Sequence, residues 1–206
     1  SKGVQVNYTK GAWAASLALT DGYYSGDFTS VSGLVTYTFK NSDTLAFAGE
    51  GNAGTYRAPT ALSTFVTPPQ QANGQIYNVI YTHTKGPLTI SPYVQYSNSP
   101  NIPGVSAEGE TWGGAILAKW SFTPQMSLAG RFEYISSDGP ANLLGYGVGS
   151  RAWSITLTPT YQRGVLFVRG EVSYVGALSG TPGLMFGAAG LSGDQTRALV
   201  ETGAIF

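Results

Sequence analysis

The stretch Gln195-Thr196-Arg197-Ala198-Leu199-Val200-Glu201-Thr202-Gly203-Ala204-Ile205-Phe206 decides the fold. Counting back from Phe206 in steps of two gives Ala204, Thr202, Val200 and Ala198, a small or apolar register, while the other register carries Glu201 and Arg197. Successive side chains of a strand point to opposite faces, so this segment reads as a strand with one dry and one wet side. A strand of a membrane barrel has this pattern, with lipid outside and water inside. A half-buried strand of a soluble sandwich alternates in the same way. The rest of the chain has to separate the two.

Composition favours the membrane. Only 11% of the residues are charged, 13% are aromatic, 28 are glycine and none of the 206 is cysteine. An ordinary soluble domain carries about 25% charged residues. No stretch approaches the roughly 18 to 20 apolar residues of a membrane helix, so lipid would have to be met by strands. A net charge of zero gives no reason to expect a nucleic-acid partner. The lack of cysteine is compatible with an oxidising periplasm. No signal peptide precedes Ser1, so a mature form or a fragment is expected.

Working outward from the last strand, eleven are expected, at 3-9, 12-20, 29-40, 43-52, 74-84, 87-97, 110-122, 125-136, 151-163, 165-176 and 195-206. Most approach the roughly 9 to 11 residues that a tilted strand needs to cross a bilayer. Their connections alternate in length. Tight ones fall at Lys10-Gly11, Asn41-Ser42, Lys85-Gly86, Thr123-Pro124 and Gly164, each with turn chemistry. Long ones run 21-28, 52-73, 98-109, 137-150 and 176-194. A soluble sandwich has no reason to sort its loops by parity, whereas a barrel with short periplasmic turns and long outer loops does. The expected fold is therefore an all-β transmembrane antiparallel barrel, a single domain over 1-206.

Alternation inside the strands agrees. Trp153, Ile155, Leu157, Pro159 and Tyr161 share one register, and Ala152, Ser154, Thr156, Thr158 and Thr160 the other. Aromatics on the outward register gather at two depths: Tyr8, Trp13, Phe39, Tyr81, Trp120, Phe122, Tyr161 and Phe206 near the tight turns, and Tyr77, Tyr96, Trp112, Tyr134, Trp153 and Tyr174 near the long loops. Amphipathic rings at two headgroup levels produce such belts.

Parity constrains closure. If Phe206 ends on the periplasmic side, every odd strand runs inward and Ser1 lies at the outer face. Bacterial barrels usually have an even strand number. Two expectations follow: an N-terminal part with an odd number of strands is missing, or the first and eleventh strands close as a parallel pair. Open edges cannot face lipid, because each unpaired backbone group there costs several kcal/mol.

Charges expected on the inward register are Lys40, Glu50, Lys119, Arg131, Glu133, Arg169, Glu171, Arg197 and Glu201. The Arg-x-Glu pairs at 131/133 and 169/171 put both signs on one face about 7 Å apart. In a wet lumen such charges set a field that sorts ions and small polar solutes. In a narrow, plugged barrel they would be filling instead, and strand number decides, since about eight strands leave room only for side chains.

Catalysis and metal binding find little footing. The one histidine, His83, lies at a strand end beside a tight turn, on the register of Tyr81 and Val79, and reads as a solvated interfacial side chain. No serine sits in a Gly-x-Ser-x-Gly elbow, and one histidine leaves most metal sites short of ligands. Gly145-Tyr-Gly-Val-Gly149 and the Gly-rich 183-193 stretch lack the strand and helix context of a nucleotide fingerprint. No cofactor is expected. The longest loop, with Pro59, Pro68, Pro69 and an apolar patch at Leu62 to Val66, is the candidate to fold into the mouth.

Trp13 to Gly22, Asp43 to Gly51, Ala152 to Tyr161 and Val168 to Tyr174 resemble strands of the C-terminal part of the OmpL-like β-barrel porin family of Gram-negative bacteria. The resemblance spans the chain. It implies further strands upstream, passive diffusion as the activity, and no catalytic residue. The expected role is an outer-membrane porin passing small hydrophilic solutes and ions. The alternative is a closed scaffold barrel whose long loops or lumen hold a partner protein. The expected partners are outer-membrane lipid, small solutes, and either missing barrel strands or further copies in a homo-oligomer.

Overall fold

The computed structural model describes residues 2–22, 28–55, 73–104 and 106–205. Eleven strands form: β1 (Gly3–Lys10), β2 (Trp13–Thr20), β3 (Ser30–Thr38), β4 (Thr44–Asn52), β5 (Gln75–Lys85), β6 (Leu88–Ser99), β7 (Gly109–Ser121), β8 (Met126–Asp138), β9 (Arg151–Arg163), β10 (Leu166–Ser179) and β11 (Asp194–Ala204). Each lies within three residues of its expected span. They make one antiparallel sheet in chain order, and no helix among the described residues is long and apolar enough to cross a membrane.

Turn chemistry explains the tight connections. Gly11 and Gly86 both adopt φ of 58°, a left-handed conformation that glycine reaches without steric cost. The β3–β4 turn uses Ser42 instead, at φ of 68°. There the Asn41 side chain accepts from the Asp43 backbone N–H at 3.3 Å, an Asx turn. This turn begins earlier than expected, because β3 ends at Thr38. Lys40 consequently lies in the turn and not on a strand face.

Register makes the sidedness continuous. One row of directly opposed residues runs Trp13, Tyr37, Leu45, Tyr81, and another Leu88, Trp120, Leu128, Pro159. The alternate rows are polar, such as Leu117, Arg131, Thr156, Ser173, Arg197. Burial is inverted relative to a soluble protein. Val200 on the apolar register is 79% exposed, while Ser137 on the polar register is 0% exposed. Val94, Ile116, Phe132 and Val172 are likewise exposed, and Thr111, Ala115, Thr156 and Ser173 are buried. Such a continuous exposed apolar surface marks contact with another apolar phase.

Curvature follows from one recess of about 280 Å³. Its lining takes Ser30, Glu50, Ile76, Gln95, Thr111 and Ile135 from six successive strands, and one recess can touch all six only if the polar face is concave. Closure does not occur within this chain. Among the described residues, β1 pairs only with β2 and β11 only with β10, so the expected parallel pair between first and last strands is absent. Phe206 lies outside the described residues.

Candidate functional site

The concave face carries the expected charges in pairs. Arg169 Nε donates to Glu201 Oε2 at 2.7 Å across β10 and β11. Arg197 donates to Glu171 Oε1 at 3.2 Å across the same strands. Arg131 and Glu133, two residues apart on β8, meet at 3.1 Å, and Ser154 Oγ donates to Glu133 at 2.8 Å. Lys119 joins Arg131 and Glu171 around a recess of about 230 Å³ with Thr89, Ser91, Thr156 and Thr158. Glu50 stands apart near the long-loop end, accepting from Ser30 Oγ at 2.9 Å. On the strands, then, Lys119, Arg131, Arg169 and Arg197 are matched by Glu50, Glu133, Glu171 and Glu201. This wall is charged and wettable without a net sign. The Thr156 hydroxyl is buried without a hydrogen-bond partner among the described residues.

The long-loop end is narrowed by a segment that periodicity does not single out. Residues 139-150, between β8 and β9, fold over the concave face. Leu143 and Leu144 line the recess that holds Glu50 and Gln95, and Tyr146 lines a second with Tyr93, Gln95 and Glu133. Ala141 N–H donates to Glu108 O at 3.0 Å, and Gly147 N–H to Asn142 Oδ1 at 2.9 Å. The neighbouring 180-193 loop braces it: Thr181 N–H donates to Tyr146 O at 2.9 Å, and the Tyr146 and Phe186 rings lie 5.1 Å apart. The other candidate for the mouth, with Pro59, Pro68, Pro69 and Leu62 to Val66, lies outside the described residues.

Aromatic side chains gather at both ends of the convex face. At the long-loop end the Trp112 and Tyr96 rings meet at a tilt (4.6 Å), and Trp153 contacts Tyr174 (5.4 Å). Tyr96 donates to Glu110 at 3.0 Å and Tyr174 to Asp194 at 3.4 Å, so carboxylates at this end hold the phenol groups. At the tight-turn end Trp13 packs on Tyr37 at 4.8 Å, and Tyr37 on Phe39 at 4.9 Å. Trp120 and Tyr161 lie at the same end, opposite Leu88 and Met126. Tyr37 is a belt residue that the sequence reading passed over, although its register was legible.

The His83 side chain is 35% exposed. It sits beside the tight turn on the outward register, as expected, but its Nδ1 lies 2.8 Å from Asp43 Oδ1. Tyr81 OH donates to Asp43 Oδ2, and Asn41 Nδ2 adds a bond at 2.8 Å. The Tyr81 hydroxyl, then His83 and Asn41, hold the buried Asp43 carboxyl down at about 2. This is a rim clasp. Among the described residues no group of three His, Cys, Asp or Glu side chains is placed to hold a metal ion.

Solved structures share this architecture. OmpT, an outer-membrane protein of Vibrio cholerae, aligns over 95% of this chain and 62% of its own, at TM-score 0.63 and 13% identity. Its loop L8 deletion mutant aligns over 96% and 61%, at 0.65 and 11%. An anion-selective porin from Comamonas acidovorans aligns over 96% and 57%, at 0.65 and 11%. The chain thus spans about three fifths of the length of these barrels. Comparison with curated protein sequences returns no significant match. A family model matches the whole length, and the chain, residues 1–206, belongs to the outer-membrane barrel family described as "Putative beta-barrel porin-2, OmpL-like".

Proposed function

We propose that the protein is a non-enzymatic diffusion channel, passing small hydrophilic solutes and ions down their gradients along the concave face of this sheet. Its family places it in the outer membrane of a Gram-negative bacterium as a porin-type transmembrane barrel. The observation that carries the proposal is the balanced ladder of Lys119, Arg131, Arg169 and Arg197 with Glu50, Glu133, Glu171 and Glu201 on a concave, hydroxyl-rich face. Paired charges keep such a wall wet without binding any ion tightly. The ladder predicts weak ion selectivity.

The free edges of β1 and β11 must be paired in a bilayer, and we assign that role to further antiparallel strands completing the wall. About sixteen strands leave an aqueous channel. Short turns then face the periplasm and the 139-150 loop sits at the outer mouth.

A second reading, a closed scaffold barrel, draws on Leu143, Leu144 and Tyr146, which crowd the mouth. Planar-bilayer recording from protein extracted from outer membranes separates the two. Steady ohmic steps with weak selectivity are expected; silence from protein shown to be inserted would overturn diffusion and favour the scaffold.

A further inference from the structure

A groove crosses the convex, lipid-facing side over β2, β3 and β4. Its floor comes from a row in which Leu17, Gly33, Gly49 and Tyr77 stand opposite one another. Gly33 leaves open backbone beside Leu17, while at Gly49 the missing side chain lets the Tyr77 ring lie down against the strand. The row below runs Ala15, Val35, Phe47, Val79, and the row above places Gly51 beside Val31. The depression measures about 770 Å³, lined by Tyr8, Leu17, Val35, Phe47 and Tyr77 among others. It runs on into a second of about 320 Å³, which shares Val35 and Phe47 and ends on Trp13, Tyr37 and Leu45.

Length and charge identify an occupant. From Leu45 to Gly51 the groove covers about 20 Å of strand. At the roughly 40° tilt of a barrel wall that is about 15 Å of depth, half of the roughly 30 Å hydrocarbon core and so one leaflet. At its tight-turn end, Lys10 stands directly opposite Trp13, and its register is the outward one. The Asp43 carboxylate at the same end is bonded to Tyr81, His83 and Asn41, and among the described residues Lys10 makes no ion pair.

We propose that this groove is a binding site for an anionic phospholipid of the periplasm-facing leaflet, an acyl chain lying over Gly33 between Leu17 and the Tyr77 ring and the headgroup phosphate meeting Lys10 beside the Trp13 and Tyr37 rings. A flat barrel wall would treat all lipids alike; here missing side chains supply shape and one cation supplies headgroup preference. The site rests on the outward register and on the periplasmic placement of the short turns proposed above, and is independent of what crosses the lumen.

The test offers the purified whole protein equal amounts of phosphatidylglycerol and phosphatidylcholine in mixed micelles and counts retained lipids by native mass spectrometry. Wild type retains phosphatidylglycerol with about five-fold preference, the factor that roughly 1 kcal/mol per cation near a headgroup layer corresponds to. Lys10→Glu retains lipid but loses the preference. Gly33→Leu, whose backbone φ needs no glycine, fills the groove and retains less of both. Heat-modified gel mobility checks that each variant is folded, and channel conductance stays unchanged in both. Equal retention of the two lipids by wild type, or a preference surviving Lys10→Glu, overturns the proposal. Dissociation of an oligomer by Gly33→Leu, with lipid retention unchanged, also overturns it and makes the groove a contact between copies.

Discussion

Arg169 and Glu201 stand directly opposite each other on β10 and β11, joined at 2.7 Å, and both remain about half exposed on the concave face. A pair that open to water contributes little to stability, because solvent screens it. Its value lies in keeping two opposite charges at one depth of a wet wall.

Charge reversal of Arg131 and Arg169 to glutamate therefore shifts selectivity toward cations while the fold persists. The wall is balanced on its strands, and each reversal moves it by two units in the negative direction. Reversal potentials across a salt gradient give the readout. An unchanged potential in the doubly reversed protein would remove these residues from the conducting wall.

The same substitution chemistry has opposite consequences on the two faces. Val172, exposed on the convex face opposite Leu157 and Ala198, faces lipid near the middle of its strand. Val172→Arg destabilises the inserted protein by about 2 to 4 kcal/mol. Gln95→Lys, on the concave register, costs far less. Denaturant titrations of the protein folded into vesicles compare the two, and equal losses would mean the faces are misassigned.

Asp43 links the rim to pH. Its folded value of about 2 lies below the ordinary 3.8, chiefly through the Tyr81 hydroxyl and then His83. A depressed carboxyl contributes stability that is complete above the unfolded value and is lost as pH falls through the folded one. Stability should accordingly drop between about pH 4 and pH 2 through this clasp, and Asp43→Asn should flatten that part of the profile while lowering stability at neutral pH. Unfolding temperature measured against pH checks it; an unaltered profile would show that the clasp carries no such linkage.

Gly147 holds the mouth loop in place. Its φ of 105° belongs to glycine, and a Cβ there would collide with the Thr181 side chain. Gly147→Val should force the 139-150 and 180-193 loops apart, at a strain on the order of 1 to 3 kcal/mol. The expected result is larger single-channel conductance with the barrel intact. A conductance equal to wild type would place the narrowest point elsewhere.

How much of this was legible in the chain differs by element. The strand set, the sidedness of each strand and the belts followed from period-two alternation and from turns at Lys10-Gly11 and Lys85-Gly86, since both are local signals. Sequence alone puts Lys40 on a strand because Asn41-Ser42 reads as the whole turn; the Asx bond from Asp43 and the left-handed Ser42 start the turn earlier.

Contacts between distant segments left no such trace. Asp43 meets Tyr81 and His83 across 38 and 40 residues, and no periodicity foretells which turn residue reaches which strand end. The groove arises because Gly33 and Gly49 come to lie side by side, which depends on the β3–β4 register. Leu143 and Tyr146 face the lumen because two outer loops brace each other through Thr181 and Phe186. Alternation by itself determined that this is a wall with one wet and one dry face, because each side chain's face depends only on its parity. Which charges pair, where the mouth narrows and where the dry face is hollow were decided by tertiary structure, because those depend on distances between strands that are far apart in sequence.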